Sequence, residues 1–201
     1  MMTSTALHRP TDSHPPQMRN NDTMKLTAPS TPATYSTFDS PIGEIVLTSD
    51  GQALTGLYVD DFTEIIERLH AEHGPDLHAD DETDVLRMAK EQLGEYFAGS
   101  RTEFDVPLAP RGTEFQRQVW QALTTIPYGA TAGYGELAGW INRPSAARAV
   151  GAANGRNPIS IIVPCHRVVG ANGALTGYAW GEDKKRALLQ LEAEHASTAL
   201  R

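Results

Sequence analysis

Cys165 is the only cysteine in a chain of 201 residues, and it stands in the run Asn157-Pro-Ile-Ser-Ile-Ile-Val-Pro-Cys165-His166-Arg167-Val168-Val169-Gly170. A thiol attacks as its thiolate, yet a free cysteine holds its proton up to a pH of about 8.5. His166 offers a base for that proton and Arg167 a positive charge beside the sulfur. Pro164 removes a backbone donor and fixes its own φ, so it presents Cys165 in a defined direction at the end of an expected strand, Ile161 to Val163. Against this stands the ordinary role of a lone cysteine, a small buried hydrophobe. The residues alone leave both readings open.

The elements around this segment divide the chain in two. Residues 1–34 are rich in Ser, Thr, Pro, Asn and Met without a hydrophobic period, which predicts a disordered tail. Short apolar runs follow at Tyr35 to Asp39, Glu44 to Thr48 and Leu54 to Val59, separated by turn residues, and read as an antiparallel meander. Phe62, Ile65, Ile66 and Leu69 then show helical spacing. A second helix is expected from Asp84 to Phe97, with Val85, Leu86, Met88, Ala89, Leu93 and Tyr96 on its inner side. Thr102 to Leu108 reads as a further strand, and Pro110 with Gly112 marks a linker. The expected domains are therefore 35–109, a small sheet with helices, and 110–198.

The second domain is mainly helical. Thr113 caps a helix to about Leu123, with Phe115, Val119, Ala122 and Leu123 inward. Tyr134 to Ile141 reads as a short helix, Asn142-Arg143-Pro144 as a turn, and Ala146 to Asn154, capped by Ser145, as the next helix. That pair has the pattern of a helix-turn-helix, which any small helical hairpin also shows. The last helix starts near Glu182 and Asp183 and turns Ala187, Leu188 and Leu191 inward, with Glu192 beside them.

Charge sharpens the division. The formal net charge is −8, which speaks against a nucleic-acid partner. Yet residues 1–100 hold 6 Lys or Arg against 17 Asp or Glu, and residues 101–201 hold 11 against 8, so the halves carry −11 and +3. Arginines 111, 117, 143, 148, 156 and 167 share their stretch with only Glu114 and Glu136 as acids. A phosphate-facing surface needs local positive charge, not a basic whole. No apolar run is long enough to span a membrane, and no secretory signal is evident. One cysteine forms no internal disulfide, which fits the cytoplasm. His70, His73 and His78 lie close in sequence beside Glu72 and Asp76, but no second ligand cluster completes a metal site, and a solvated helix end is the expectation.

Pro164-Cys165-His166-Arg167-Val168, with Asn157-Pro158 before it and Leu188-Leu189-Gln190-Leu191-Glu192 after it, resembles the O6-alkylguanine-DNA alkyltransferases. The likeness runs from about Thr113 to Glu192 and is looser over the first hundred residues. It implies an α/β (α+β) fold, with a ribonuclease-H-like N-terminal domain and a winged-helix-like C-terminal domain. It also implies irreversible transfer of an alkyl group from O6-alkylguanine, and from O4-methylthymine, to Cys165, once per molecule and without a cofactor. By the resemblance, His166, Glu192 and Asn157 join Cys165 in catalysis. Tyr134, Arg148, Gln116, Arg143 and Gly151 meet double-stranded DNA through its minor groove, with Tyr134 and Arg148 helping to flip the base. Val168, Tyr178, Ala179 and Trp180 line the pocket. Trp180 stands where some relatives have glycine, and its bulk is expected to narrow that pocket. Some relatives hold zinc partly through cysteines of the first domain, and those ligands are missing here. A monomer is expected.

Two rivals start from the same residues. A cysteine hydrolase would use Cys165, a histidine and Asn157 or Glu192, but no oxyanion-hole motif accompanies them. A DNA binder without catalysis would use the same helix pair and would have no need of the cysteine.

Overall fold

The computed structural model describes residues 26–27, 33–74 and 76–198. Three strands form the expected meander, β1 (Thr34–Ser40), β2 (Gly43–Ser49) and β3 (Leu54–Tyr58). Gly43, with a φ of 116°, turns the first hairpin, a backbone conformation that side chains other than glycine's rarely tolerate. Helix α1 (Phe62–His73) is capped by Asp61, whose carboxylate accepts from the amides of Thr63 and Glu64. The short β4 (His78–Ala79) pairs parallel to β1, which gives the sheet order β3-β2-β1-β4. Helix α2 (Asp84–Phe97) lays Val85, Leu86, Ala89, Leu93 and Tyr96 on the core. Met88, expected on that face, is exposed.

The strand expected over Thr102 to Leu108 is absent. Only Leu108 forms bridges, to Leu54 and to Leu26. Pro107 and Pro110 have no amide to give a ladder, and the amide of Asp105 donates to the side chain of Gln92. Leu26 and Thr27, within the expected tail, are in place: Leu26 donates to Gln121 and Thr27 to the carbonyl of Leu108.

In the second half, α3 (Glu114–Leu123) begins with a reciprocal cap in which Thr113 accepts from the Gln116 amide and Gln116 accepts from the Thr113 amide. Trp120, not among the residues expected to point inward, is buried and donates through Nε1 to the Ala153 carbonyl. Strand β5 (Ala132–Gly133) leads into α4 (Tyr134–Trp140), and α5 (Ala147–Asn154) follows a single 3-10 turn, Pro144–Ala146. Ser145 does not cap α5, because it lies inside that turn. Strand β6 (Val168–Val169) pairs parallel to β5, and α6 (Glu182–Thr198) is the last described element.

One hydrophobic core runs through both halves, from Ile45 and Leu57 of the sheet to Trp120, Val163 and Leu188. The amide of Leu57 also donates to the carbonyl of Pro158, so the sheet edge touches the segment that carries the cysteine. Among the described residues no helix is long and apolar enough to cross a membrane.

Candidate active site and DNA-facing helix pair

The segment before Cys165 is not a strand. Ile161 has a φ of 71°, and residues 160–163 fold back through turns. Cys165–Arg167 is then a 3-10 turn. Asn157 holds the fold-back: its amide nitrogen donates to the Val163 carbonyl at 2.8 Å, and its oxygen accepts from the Ile159 amide. This is the turn-fixing role that a short amide side chain performs well. Two prolines flank the segment, so bonds to Asn157 stand in for a ladder that the backbone does not form.

Cys165 is only 4% exposed, and burial pushes its thiol up from its ordinary pKa. The side chains of Asn157 and Ser160 and the charge of Lys185 act in the opposite direction. The sulfur lies 4.0 Å from the hydroxyl of Ser160. His166 follows within the turn and is fully buried. Its Nε2 lies 2.9 Å from Glu192 Oε1, while Nδ1 has no hydrogen-bond partner among the described residues. Burial holds the imidazole below its ordinary pKa, and the charges of Arg167 and Lys185 add to this against the pull of Glu192. Burial thus favours the uncharged ring.

Arg167 does not sit beside the sulfur as the sequence suggested. Its guanidinium turns to Glu192, with Nη2 at 2.9 Å from Oε1 and Nε at 3.0 Å from Oε2, and Nη1 donates to the Ile126 carbonyl. Glu192 also accepts from Tyr96 Oη at 2.9 Å and from the Gly129 amide at 3.0 Å. Burial alone would raise the Glu192 carboxyl, but Arg167 and His166 outweigh it and hold the group well below the usual carboxylate range.

The cation near Cys165 is Lys185, which sequence reasoning missed. It is buried, and Nζ donates to the carbonyls of Val168 at 2.6 Å and Thr176 at 2.8 Å. Burial lowers its pKa to about 8. The inward face of α6 is thus Lys185, Leu188, Leu189 and Glu192, while Ala187 is exposed and Leu191 half-buried. The spacing i, i+3, i+4, i+7 was the available signal, hidden because two of its four members are charged.

Of the residues expected to line a pocket, Tyr178 and Trp180 approach the cysteine segment and Val168 follows it directly. Tyr178 is buried, its hydroxyl has no partner among the described residues, and the field of Cys165 adds to burial in raising its pKa. Ala179 is exposed, and the half-buried Trp180 donates from Nε1 to Ser160 at 2.8 Å. The Val168 carbonyl is engaged by Lys185. Tyr134 donates to the Thr176 carbonyl at 3.0 Å, so Thr176 joins Tyr134 and Lys185.

On the outer side of α5, Arg148 stands exposed with Ala149 and Ala152, while Val150, Ala153 and Asn154 pack inward. A Cβ added at Gly151 would meet the Tyr134 ring at ordinary contact distance. Arg143 is exposed and places its guanidinium over Phe115, and Gln116 serves in the cap of α3. Among the described residues no group of three or more His, Cys, Asp or Glu could hold a metal ion. His70 and His78 instead bond the carbonyls of Leu77 and Asp76.

A family model described as the ribonuclease-like domain of 6-O-methylguanine DNA methyltransferase matches residues 33–110, and the model of its DNA binding domain matches residues 114–194. A Mycobacterium tuberculosis methylated-DNA–protein-cysteine methyltransferase is 52% identical over 166 residues, covering 83% of this chain and 96% of that protein. One from Methanosarcina acetivorans is 54% identical over 158 residues, covering 79% and 97%. The crystal structure of Mycobacterium tuberculosis OGT in complex with DNA superposes with a TM-score of 0.72 at 52% identity, covering 81% of this chain and 94% of that one. With both domain models matched in order and relatives of this identity covered almost end to end, the chain belongs to the 6-O-methylguanine DNA methyltransferase family.

Proposed function

We propose that the protein repairs DNA by direct reversal, moving the alkyl group of O6-alkylguanine onto Cys165 irreversibly, one group per molecule. The observation that carries this reading is the buried turn that sets Cys165 next to His166, whose Nε2 is held by Glu192 and whose Nδ1 is unpartnered among the described residues. A histidine fixed in this way presents Nδ1 as a base, and the carboxylate behind it stabilises the imidazolium that forms. The thiol proton passes to Nδ1 through an intervening water. The Sγ–carbon bond forms as the carbon–O6 bond breaks, and the electron pair leaves with guanine. Lys185 favours the anionic sulfur. The thioether has no exit, because the chain has no second thiol.

The target atom is out of reach inside a duplex, so the nucleotide must be turned out, at a cost of about a few kcal/mol. The exposed, small-residue face of α5 allows close approach to the minor groove, with Arg148 filling the vacated place and Tyr134 acting on the target phosphate. Arg143, Gln116 and Gly151 complete the contact face. Readout in that groove is degenerate, so sequence preference is slight. Tyr178, Ala179, Trp180 and the Val168 backbone receive the flipped base, and O4-methylthymine is a second substrate. The carbonyl of Val168 keeps a second lone pair for this although Lys185 occupies the first. The functional division is 35–109 and 110–198, and the protein acts as a cytoplasmic monomer.

Intact-protein mass spectrometry after incubation with an O6-methylguanine duplex tests the reading. One added methylene per chain, absent in Cys165→Ser, is expected. Correctly folded protein that stays unmodified excludes it, and continuous turnover of an ester substrate would point to a cysteine hydrolase instead.

A further inference from the structure

We propose that Tyr96, in α2 of the N-terminal half, is a positioning residue for the transfer, its hydroxyl holding the Glu192 carboxylate in the orientation that serves His166. The inference rests on the functional reading above. The terminal torsion of a glutamate is soft and roughly two-fold, so its partners decide where the two oxygens point. Glu192 has two competing partners on one side of the chemistry. His166 needs Oε1, and Arg167 can draw the whole carboxylate into a fork of parallel bonds, the geometry a guanidinium favours. Arg167 already contacts both oxygens, with Nε near equally placed at 3.1 Å and 3.0 Å.

Two donors from elsewhere in the fold oppose that rotation. Tyr96 Oη binds Oε1 at 2.9 Å, on the same oxygen as His166, and the Gly129 amide binds Oε2 at 3.0 Å. Gly129 has a φ of 74°, and a Cβ there would come within 2.8 Å of Ala196, so its amide reaches α6 because it carries no side chain. Tyr96 is fixed just as firmly. It is fully buried, with ring centroids 5.3 Å from Phe97, 5.5 Å from Phe104 and 5.9 Å from Tyr128. Its hydroxyl thus has little freedom to follow a rotating carboxylate, and it links the first half of the chain to the catalytic turn of the second. The charged and titratable groups facing Glu192 are His166, Arg167, Tyr96 and Tyr128.

A buried tyrosine could equally have been paired with the nearest acceptor for packing alone, and the test separates the two roles. Tyr96→Phe keeps the ring and removes the hydroxyl. Single-turnover transfer to Cys165 at saturating O6-methylguanine duplex is expected to fall about fivefold, the scale of one hydrogen bond, with DNA affinity unchanged. In a Glu192→Gln background the same substitution is expected to cost little more, since residues acting through one group are not additive. Should Tyr96→Phe fold poorly, 3-fluorotyrosine at position 96 retains the shape and strengthens the donor, and a changed transfer rate at unchanged affinity is expected. A wild-type rate in Tyr96→Phe or in the fluorinated protein, or an equal loss in the Glu192→Gln background, overturns the proposal. Failure of the wild-type protein to alkylate Cys165 would instead remove the functional reading on which it rests.

Discussion

Lys185 and Glu192 lie seven residues apart on the same buried face of α6, and both are shielded from solvent. One bonds the carbonyl of Val168, directly after the Cys165–Arg167 turn, and the other bonds His166 and Arg167 within it. Under the proposed mechanism a single helix therefore supplies both the cation that favours the thiolate and the carboxylate that supports the base.

Lys185→Met keeps much of the buried stem and removes the charge. Single-turnover transfer at pH 7 should fall about tenfold, equivalent to about 1.4 kcal/mol in the barrier. The lost bonds also loosen the Thr176 loop, so the melting temperature should fall modestly. A Lys185→Met protein that transfers at the wild-type rate would show that the charge has no part in activating Cys165.

Arg167 and Glu192 make a pair whose partners are both out of water. Removing one leaves the other buried and uncompensated, so Arg167→Met should cost about 3–5 kcal/mol in denaturant unfolding. Glu192 also sets an acid limit. Because its folded pKa is depressed below the ordinary 4.5, its contribution is complete above that pH and is lost as pH falls below it, at up to about 1.4 kcal/mol per pH unit. Unfolding of the wild type between pH 5 and 3 should show this added slope, and Glu192→Gln should lack it.

Trp180 lies edge-on to Tyr58 with centroids 6.3 Å apart, and its indole is tied to Ser160, whose hydroxyl lies 4.0 Å from the Cys165 sulfur. The side chain is thus held beside the cysteine segment, not swung clear of it. Methyl adducts should react faster than benzyl adducts, and Trp180→Gly should narrow the difference by about tenfold. Equal rates for the two adducts, unchanged by the substitution, would refute the restriction.

Arg148 is the long cation on the outer face of α5. Arg148→Ala should slow transfer from a duplex by about tenfold or more while sparing transfer from the free O6-methylguanine base, which needs no flipping. Equal losses on both substrates would place Arg148 outside the flipping step.

The helices were largely legible because their apolar residues recur at helical spacing, and α2 spans the residues its pattern predicted. The expected strands at Thr102 to Leu108 and Ile161 to Val163 failed for a shared reason. Short apolar runs next to proline look like strands, yet the amides or carbonyls that a ladder needs are absent or turned to side chains such as Gln92 and Asn157.

Local sequence by itself marked Cys165 and the adjacent His166 as candidates, since a lone cysteine beside a base can serve as a nucleophile wherever the pair lies in the fold. It also determined the small-residue helix with Arg148, because composition alone marks that face. Only the tertiary structure decided where Arg167 points, that Lys185 is the cation near the sulfur, and that Tyr96 reaches Glu192 across 96 positions of chain. Charged side chains on a helix read as solvent-facing in any pattern of hydrophobicity. They become interior groups only when distant segments fold up with partners that offset the cost of leaving water.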